Sequence, residues 1–257
     1  MHEILNKKGF ICDMDGVIYH GNEILDGVKD FVNWLIENKK EFIFLTNSPE
    51  RTPHELSMKL KRMGLDVSAD HFYNSAMATA EFLASQKPDC TAYVIGEAAL
   101  TKAMYDRKIY MNDVNPDYVV LGETRTYNFE KIEKATNLVK NGAKLIGTNP
   151  DTTGVIETGI MPATGAIIAP IEIATSKKAY FVGKPNPLML RHALNKINLH
   201  SADIAFIGDR MDTDIIAGIE SNIDTVLVLS GVTAVEDIEK FPYRPKYVLN
   251  GVGDLLK

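Results

Sequence analysis

The stretch KKGFICDMDGVIYHG, residues 7–21, decides how the rest of the chain is read. Phe10, Ile11 and Cys12 form an apolar run of the kind that makes a buried strand, and it ends in Asp13 and Asp15, followed by Gly16. A strand alternates its side chains, so the two aspartates point to one side with Cα atoms about 6.6 Å apart. Carboxylates held that close repel each other unless something cationic lies between them. A strand with this ending asks for a cation, which the remaining sequence must supply or bind.

Composition narrows the field. Hydrophobic residues make up 45% of the 257 and charged residues 24%, enough apolar material for one large domain or two ordinary ones. The net charge is -6, and no lysine- or arginine-rich run breaks that balance, which argues against a nucleic acid partner. A small anionic substrate fits, because a metal or a few local cations can hold it. The longest apolar run, GAIIAPIEIA at 165–174, is cut by Pro170 and Glu172 and falls short of the ~18 residues of a membrane span. The amino terminus has no apolar signal region, and Cys12 and Cys90 are too few for a disulfide framework. A cytoplasmic protein with no membrane partner is the expectation.

One pattern recurs along the chain: a β-rich run, a turn, then an amphipathic helix. The run at 9–13 precedes a helix in which Val28, Phe31, Val32, Leu35 and Ile36 share one face by spacing. EFIFLTN (41–47) precedes a helix ended by Gly64; TAYVIG, DYVVLGE and AKLIGTNPD follow; AYFVGKPNP, DIAFIGDRMDTD and TVLVLSG complete the series. Alternation of this kind predicts an α/β fold with a mostly parallel, Rossmann-like sheet. About eight strands exceed one ordinary open sheet, and the chemically loaded ones lie at the two ends of the chain. Residues 1–77 and 179–257 are therefore read as the core, interrupted by an inserted α/β domain at 78–178.

Strand ends carry the chemistry. The first ends at Asp13 and Asp15, the second at Thr46 and Asn47, a late one at Lys184 and another at Asp209. Ligands of open α/β sheets bind beyond the carboxyl ends of the strands. If these strands are neighbours, three carboxylates, a hydroxyl, an amide and an ammonium converge. Oxygen donors without His or Cys suit Mg²⁺ rather than zinc, and that set suits a phosphoryl group. Each segment alone has an ordinary reading: DxDG as a turn, Thr46–Asn47 as a strand end with an N-cap, Lys184 as a solvated lysine.

DMDGV (13–17), FLTN (44–47), VGKP (182–185) and GDRMDTD (208–214), in that order, resemble the motifs of the haloacid dehalogenase (HAD) superfamily. The inserted domain, with TNPD at 148–151 and PATGAI at 162–167, resembles the α/β cap of its NagD-like, 4-nitrophenylphosphatase-like branch. Val17 departs from the threonine common after DxDG, and Ser48 from a double asparagine. The resemblance implies a phosphatase that forms an aspartyl-phosphate on Asp13, with Asp15 as acid and base. It implies Mg²⁺ held by Asp13, the Asp15 carbonyl and Asp209, with Asp214 acting through water, and phosphate contacts from Thr46, Asn47 and Lys184. The expected substrate is a small phosphorylated metabolite: a nucleoside monophosphate such as UMP first, a sugar phosphate second, with a non-catalytic sensor as the contrasting class. Thr148, Asn149, Pro150 and Asp151 either face the core and add selectivity, through Asn149 and Asp151, or form a polar turn within the cap. Homo-oligomers formed through cap surfaces belong to the same expectation.

Overall fold

The computed structural model describes residues 2–156 and 159–257, which group into two units. The first comprises residues 1–46, 53–73 and 184–257; the second comprises 47–52 and 74–183. The division thus falls at 73/74 and 183/184, a few residues from the 77/78 and 178/179 of the sequence reading. Residues 47–52 join the second unit, which the sequence reading did not foresee.

A six-stranded sheet organises the first unit, in the order Tyr247–Leu249, Asp224–Val228, Ile204–Gly208, Gly9–Asp13, Glu41–Thr46, Phe72–Asn74. Pairing is parallel from Tyr247–Leu249 across to Glu41–Thr46. Gly9–Asp13 and Ile204–Gly208 are buried at every residue. That is why they read as unbroken apolar runs: a parallel sheet is covered on both faces and has no polar side to alternate with. The helix Val28–Glu37 buries Val28, Phe31, Val32 and Leu35. Phe10 meets Phe31 edge-on with ring centroids 5.8 Å apart, and Trp34 likewise at 5.8 Å. Ile36, expected on the buried face, is 54% exposed. At 100° per residue it sits about 80° from Val28, at the edge of the apolar stripe.

The second unit has its own five-stranded sheet, ordered Tyr180–Phe181, Lys144–Gly147, Tyr118–Leu121, Thr91–Ile95, Tyr110–Met111, parallel throughout. Val119, Leu121, Leu138, Leu145, Ile168 and Ile171 form its apolar core. One expectation is corrected here. The strand preceding Lys184 was grouped with the core strands, but Tyr180 and Phe181 pair with Ile146 and Gly147 of the second sheet. Lys184 reaches the first unit from a loop, three residues past Phe181.

Short elements escaped the sequence reading. Tyr19–His20 and Glu23–Ile24 form a small antiparallel hairpin directly after the DxDG turn. Near the end of the chain, a 3₁₀ turn at Val252–Leu256 buries Val252 and Leu255. Among the described residues no helix is long and apolar enough to cross a membrane.

Phe10 joins sheet to helix and has no exposed surface. Phe10→Ala is expected to lower stability by about 3–5 kcal/mol through lost transfer energy and a residual cavity. A denaturant titration followed by far-UV circular dichroism reads this as a shifted midpoint at unchanged slope.

Candidate active site

Parallel register brings three strand ends level in the first unit. Asp13 pairs with Leu45, one residue before Thr46, while Cys12 pairs with Ile207, two residues before Asp209. Asp13, Thr46 and Asp209 therefore emerge together, all buried. Asp214 is delivered by a single π-helical turn, Met211–Ile215. It packs so tightly that a Cβ on Gly208 would lie 2.2 Å from its own Cβ, so position 208 tolerates no side chain.

The ammonium of Lys184 donates to Asp13 Oδ1 at 2.5 Å and to Asp214 Oδ1 at 2.7 Å. Lys184 is 2% exposed and Asp214 has no exposed surface. The other oxygen of Asp214 accepts from the main-chain N–H groups of Asp209, at 3.2 Å, and Arg210, at 3.1 Å. Asp209 Oδ2 accepts from the Val232 N–H at 2.7 Å. Its buried Oδ1 has no hydrogen-bond partner among the described residues.

Burial pushes the Asp13 carboxyl well above the usual range, with Lys184 opposing and Asp214 and Asp209 adding to the rise. Burial also pushes Asp209 up to about 7, reinforced by the charge of Asp214 and opposed by the Val232 N–H and Lys184. For Lys184, burial disfavours the charged form, yet Asp13 and Asp214 outweigh it and raise its pKa. Three carboxylates thus face one ammonium, two negative charges in excess when all are ionised.

Each of the three acids offers an oxygen within 4.8 Å of the others. The orphaned Asp209 oxygen, the excess charge and the all-oxygen donor set fit a hard divalent cation. The opening expectation is corrected here: the strand ends at Asp13, Asp15 lies outside the cluster, and the acids gathered beside Asp13 are Asp209 and Asp214, with Lys184 as one cation among them. Asp212 pairs with Arg210 at 3.0 and 2.8 Å in an exposed position.

Asp15 stands apart from this cluster. Its carboxylate is exposed and accepts from the Tyr19 hydroxyl at 3.0 Å. Gly16 makes the bend between them at φ +80, and its N–H donates to the Tyr19 carbonyl at 2.9 Å. A side chain there would be strained by that φ and would also meet Asp209 Oδ2 at 2.6 Å. The glycine of DxDG is therefore a steric requirement of the acids themselves. Tyr19 is nearly buried, with Lys59 Nζ 3.6 Å from its ring centroid. Sequence reasoning missed Tyr19 and also Ser230, whose hydroxyl donates to the Gly16 carbonyl at 2.7 Å. Neither lies in a recognisable motif, and only the folded loops bring them in.

The remaining expected residues fall in the second unit. Asn47 Nδ2 donates to Asp151 Oδ2 at 2.9 Å, Asn149 Nδ2 donates to the Asn47 carbonyl at 2.9 Å, and the Asp151 N–H donates to Asn149 Oδ1 at 3.1 Å. Those three bonds close a ring. Asn149 Nδ2 also donates to Oε1 of Glu123 at 2.9 Å, and Glu123 lies beyond the end of Tyr118–Leu121 and was not singled out from sequence. Burial pushes the Glu123 carboxyl up to about 7, with the Asn149 amide opposing.

Comparison with known proteins agrees with this geometry. A haloacid dehalogenase-like hydrolase family model matches residues 10–109, and a HAD-hydrolase-like model matches 181–255. The chain is 48% identical over 246 residues to a dihydroxyacetone phosphatase of Corynebacterium glutamicum, covering 96% of this chain and 90% of that protein. It is 42% identical to ribonucleotide monophosphatase NagD of Escherichia coli, covering 96% and 98%. The solved structure of E. coli NagD superposes with a TM-score of 0.92 over 97% of this chain and 98% of that one. An acid sugar phosphatase of Staphylococcus saprophyticus is 38% identical, covering 98% of each. The chain belongs to the haloacid dehalogenase-like hydrolases, in their NagD-like branch, and is a phosphomonoester hydrolase of that family.

Proposed function

We propose that the protein is a Mg²⁺-dependent phosphatase of small phosphorylated metabolites, working through an aspartyl-phosphate, with nucleoside monophosphates of the UMP kind as substrates. The observation that carries it is the buried set of Asp13, Asp209 and Asp214 around Lys184 at the ends of neighbouring parallel strands. A second reading, sugar-phosphate hydrolysis, is favoured by the 48% identity to a protein named dihydroxyacetone phosphatase.

In the first half-reaction an Asp13 oxygen bonds to phosphorus as the bond to the leaving oxygen breaks, and Asp15 gives that oxygen its proton. The Asp15 carboxylate then takes a proton from water, whose oxygen attacks phosphorus, releasing inorganic phosphate and restoring Asp13. Lys184 opposes the effect of burial on Asp13 and so favours the carboxylate, the only form that is nucleophilic. Phosphate oxygens accept from the Thr46 hydroxyl and the Asn47 amide, whose fixed dipoles need no reorganisation. Asp13, the Asp15 carbonyl and Asp209 would hold Mg²⁺, with Asp214 acting through water. When bound, the ion offsets the charge of these acids and polarises the phosphoryl oxygens. Tyr19 keeps the Asp15 carboxylate in one orientation. Selectivity for the leaving group is assigned to the second unit, through Asp151 and through Asn149, whose buried amide acts by way of Asn47. A cytoplasmic setting is part of the same proposal, supported by two buried cysteines without a disulfide.

Phosphate release from mononucleotides, sugar phosphates and p-nitrophenyl phosphate tests the reading. Turnover should require Mg²⁺ and fall roughly a thousandfold or more in Asp13→Asn. The ranking of the panel decides between nucleotide and sugar phosphate, and no turnover by a folded, Mg²⁺-loaded protein would favour a phosphometabolite sensor. Tyr19→Phe should lower kcat by roughly tenfold with little change in KM, the loss of one hydrogen bond to a charged group.

Stability should carry a pH signature. Asp209 has a folded pKa of about 7 against an ordinary 3.8, so between those values the native state binds more protons than the unfolded one. Stability of the metal-free protein is then lost as pH rises through that window. Mg²⁺ binds the ionised acids, so its stabilising shift should grow from pH 5 to pH 8. Differential scanning calorimetry with EDTA or Mg²⁺ measures both, and a shift independent of pH would remove these acids from the metal site.

A further inference from the structure

We propose that Glu123 is a positioning residue of the phosphatase reaction: through the Asn149 amide it fixes the main chain of Asn47, and so the group that binds phosphate. The inference rests on the reading of Asn47 given above and adds what holds that residue in place.

Asn149 has four hydrogen-bonding positions, and the structure uses them in a way that allows one orientation. Its Oδ1 accepts from the Asp151 N–H, while Nδ2 reaches the Asn47 carbonyl and Glu123 Oε1, both at 2.9 Å, with Thr148 Oγ1 farther off at 3.4 Å. A flipped amide would set its oxygen against a carbonyl and a carboxylate and its NH₂ against an N–H. Asn149 has no exposed surface, so water cannot replace a lost partner without opening the structure. The Asn47 carbonyl also accepts from the Ser75 hydroxyl, which fixes that peptide plane from two directions. Asp151 then takes one hydrogen of Asn47 Nδ2.

Glu123 is the outermost member of this chain of bonds and the costliest to bury. It is 6% exposed, with the Thr164 hydroxyl at 3.5 Å as a second, weaker donor. The carboxylates of Glu50 and Asp151 add to the unfavourable field. Among the described residues no cation pairs with it. A buried acid held by amide and hydroxyl donors is a poor way to gain stability, since an apolar residue of similar volume would avoid the desolvation cost. What the carboxylate supplies is an acceptor at the one place that orients Asn149.

The test uses the full-length enzyme with Mg²⁺ and follows KM and kcat for p-nitrophenyl phosphate, inhibition by inorganic phosphate, and the thermal midpoint. Glu123→Met removes the acceptor with little change of volume. It should raise KM and the inhibition constant of phosphate together, by roughly five- to tenfold, with kcat changed less. Glu123→Gln keeps an oxygen for Asn149 and should recover most of that loss. In an Asn47→Ala background, Glu123→Met should add less than about twofold, because the two act through one contact. If Glu123→Met does not fold, Asn149→Ala interrupts the same chain from its other end. A lowered thermal midpoint with unchanged KM and phosphate inhibition would make Glu123 merely structural and overturn the proposal. So would effects of Glu123→Met and Asn47→Ala that simply add. If Asn47→Ala itself leaves KM and phosphate inhibition unchanged, the phosphate-binding reading of Asn47 fails and takes this inference with it.

Discussion

Everything chemical in the first unit depends on keeping three carboxylates in one buried place. Asp13, Asp209 and Asp214 are each less than a tenth exposed, and their oxygens converge to within 4.8 Å. Left alone, such a group would protonate or push the fold apart, because desolvation and mutual repulsion act in the same direction. Lys184 offsets part of this by bridging Asp13 and Asp214. Main-chain N–H groups of Asp209 and Arg210, donated to Asp214, and of Val232, donated to Asp209, offset a further part. The residue left unsatisfied is Asp209, through one oxygen. That oxygen is the one a hard divalent cation would take.

The same constraint explains residues that carry no charge. Gly16 and Gly208 are small because acids occupy the volume a side chain would take. Parallel pairing is needed because only parallel strands bring several carboxyl ends to one edge of the sheet, and their order here sets Gly9–Asp13 between Glu41–Thr46 and Ile204–Gly208. The central strands are accordingly buried at every residue, as a parallel sheet covered on both faces requires. Site and fold are thus one problem with one solution: apolar runs fix the sheet, and the residues that follow each run fall at the site.

This is also why so much was legible in the sequence. Asp13, Thr46 and Asp209 each directly end or follow a long apolar run, so strand and ligand announce each other. Lys184 was found, but for a partly mistaken reason: the strand before it pairs in the other sheet, and no local pattern says which of two parallel sheets a four-residue apolar run will join. Ile36 failed because a stripe's edge cannot be told from its centre by spacing alone. Ser230 and Glu123 were invisible because their partners are brought near by folding, whereas Tyr19 lies four residues from Asp15 in a hairpin the sequence reading did not foresee. Ser230 reaches Gly16 across 214 positions, and Glu123 reaches Asn149 across 26.

Thr46 and Asn47 show how far a sequence motif can differ from a structural unit. They are joined by one peptide bond and share one expected task, yet they belong to different units. Thr46 is set by the register of its strand, fully within the first sheet. Asn47 is set by bonds to Ser75, Asn149 and Asp151, all in the second unit. The two neighbouring residues therefore draw on different sets of supports. Placement of the hydroxyl is decided where the chemistry is built, whereas placement of the amide is decided in the unit to which selectivity is assigned. A change deep in the second unit, at a residue such as Glu123, has a physical route through Asn149 to the main chain of Asn47.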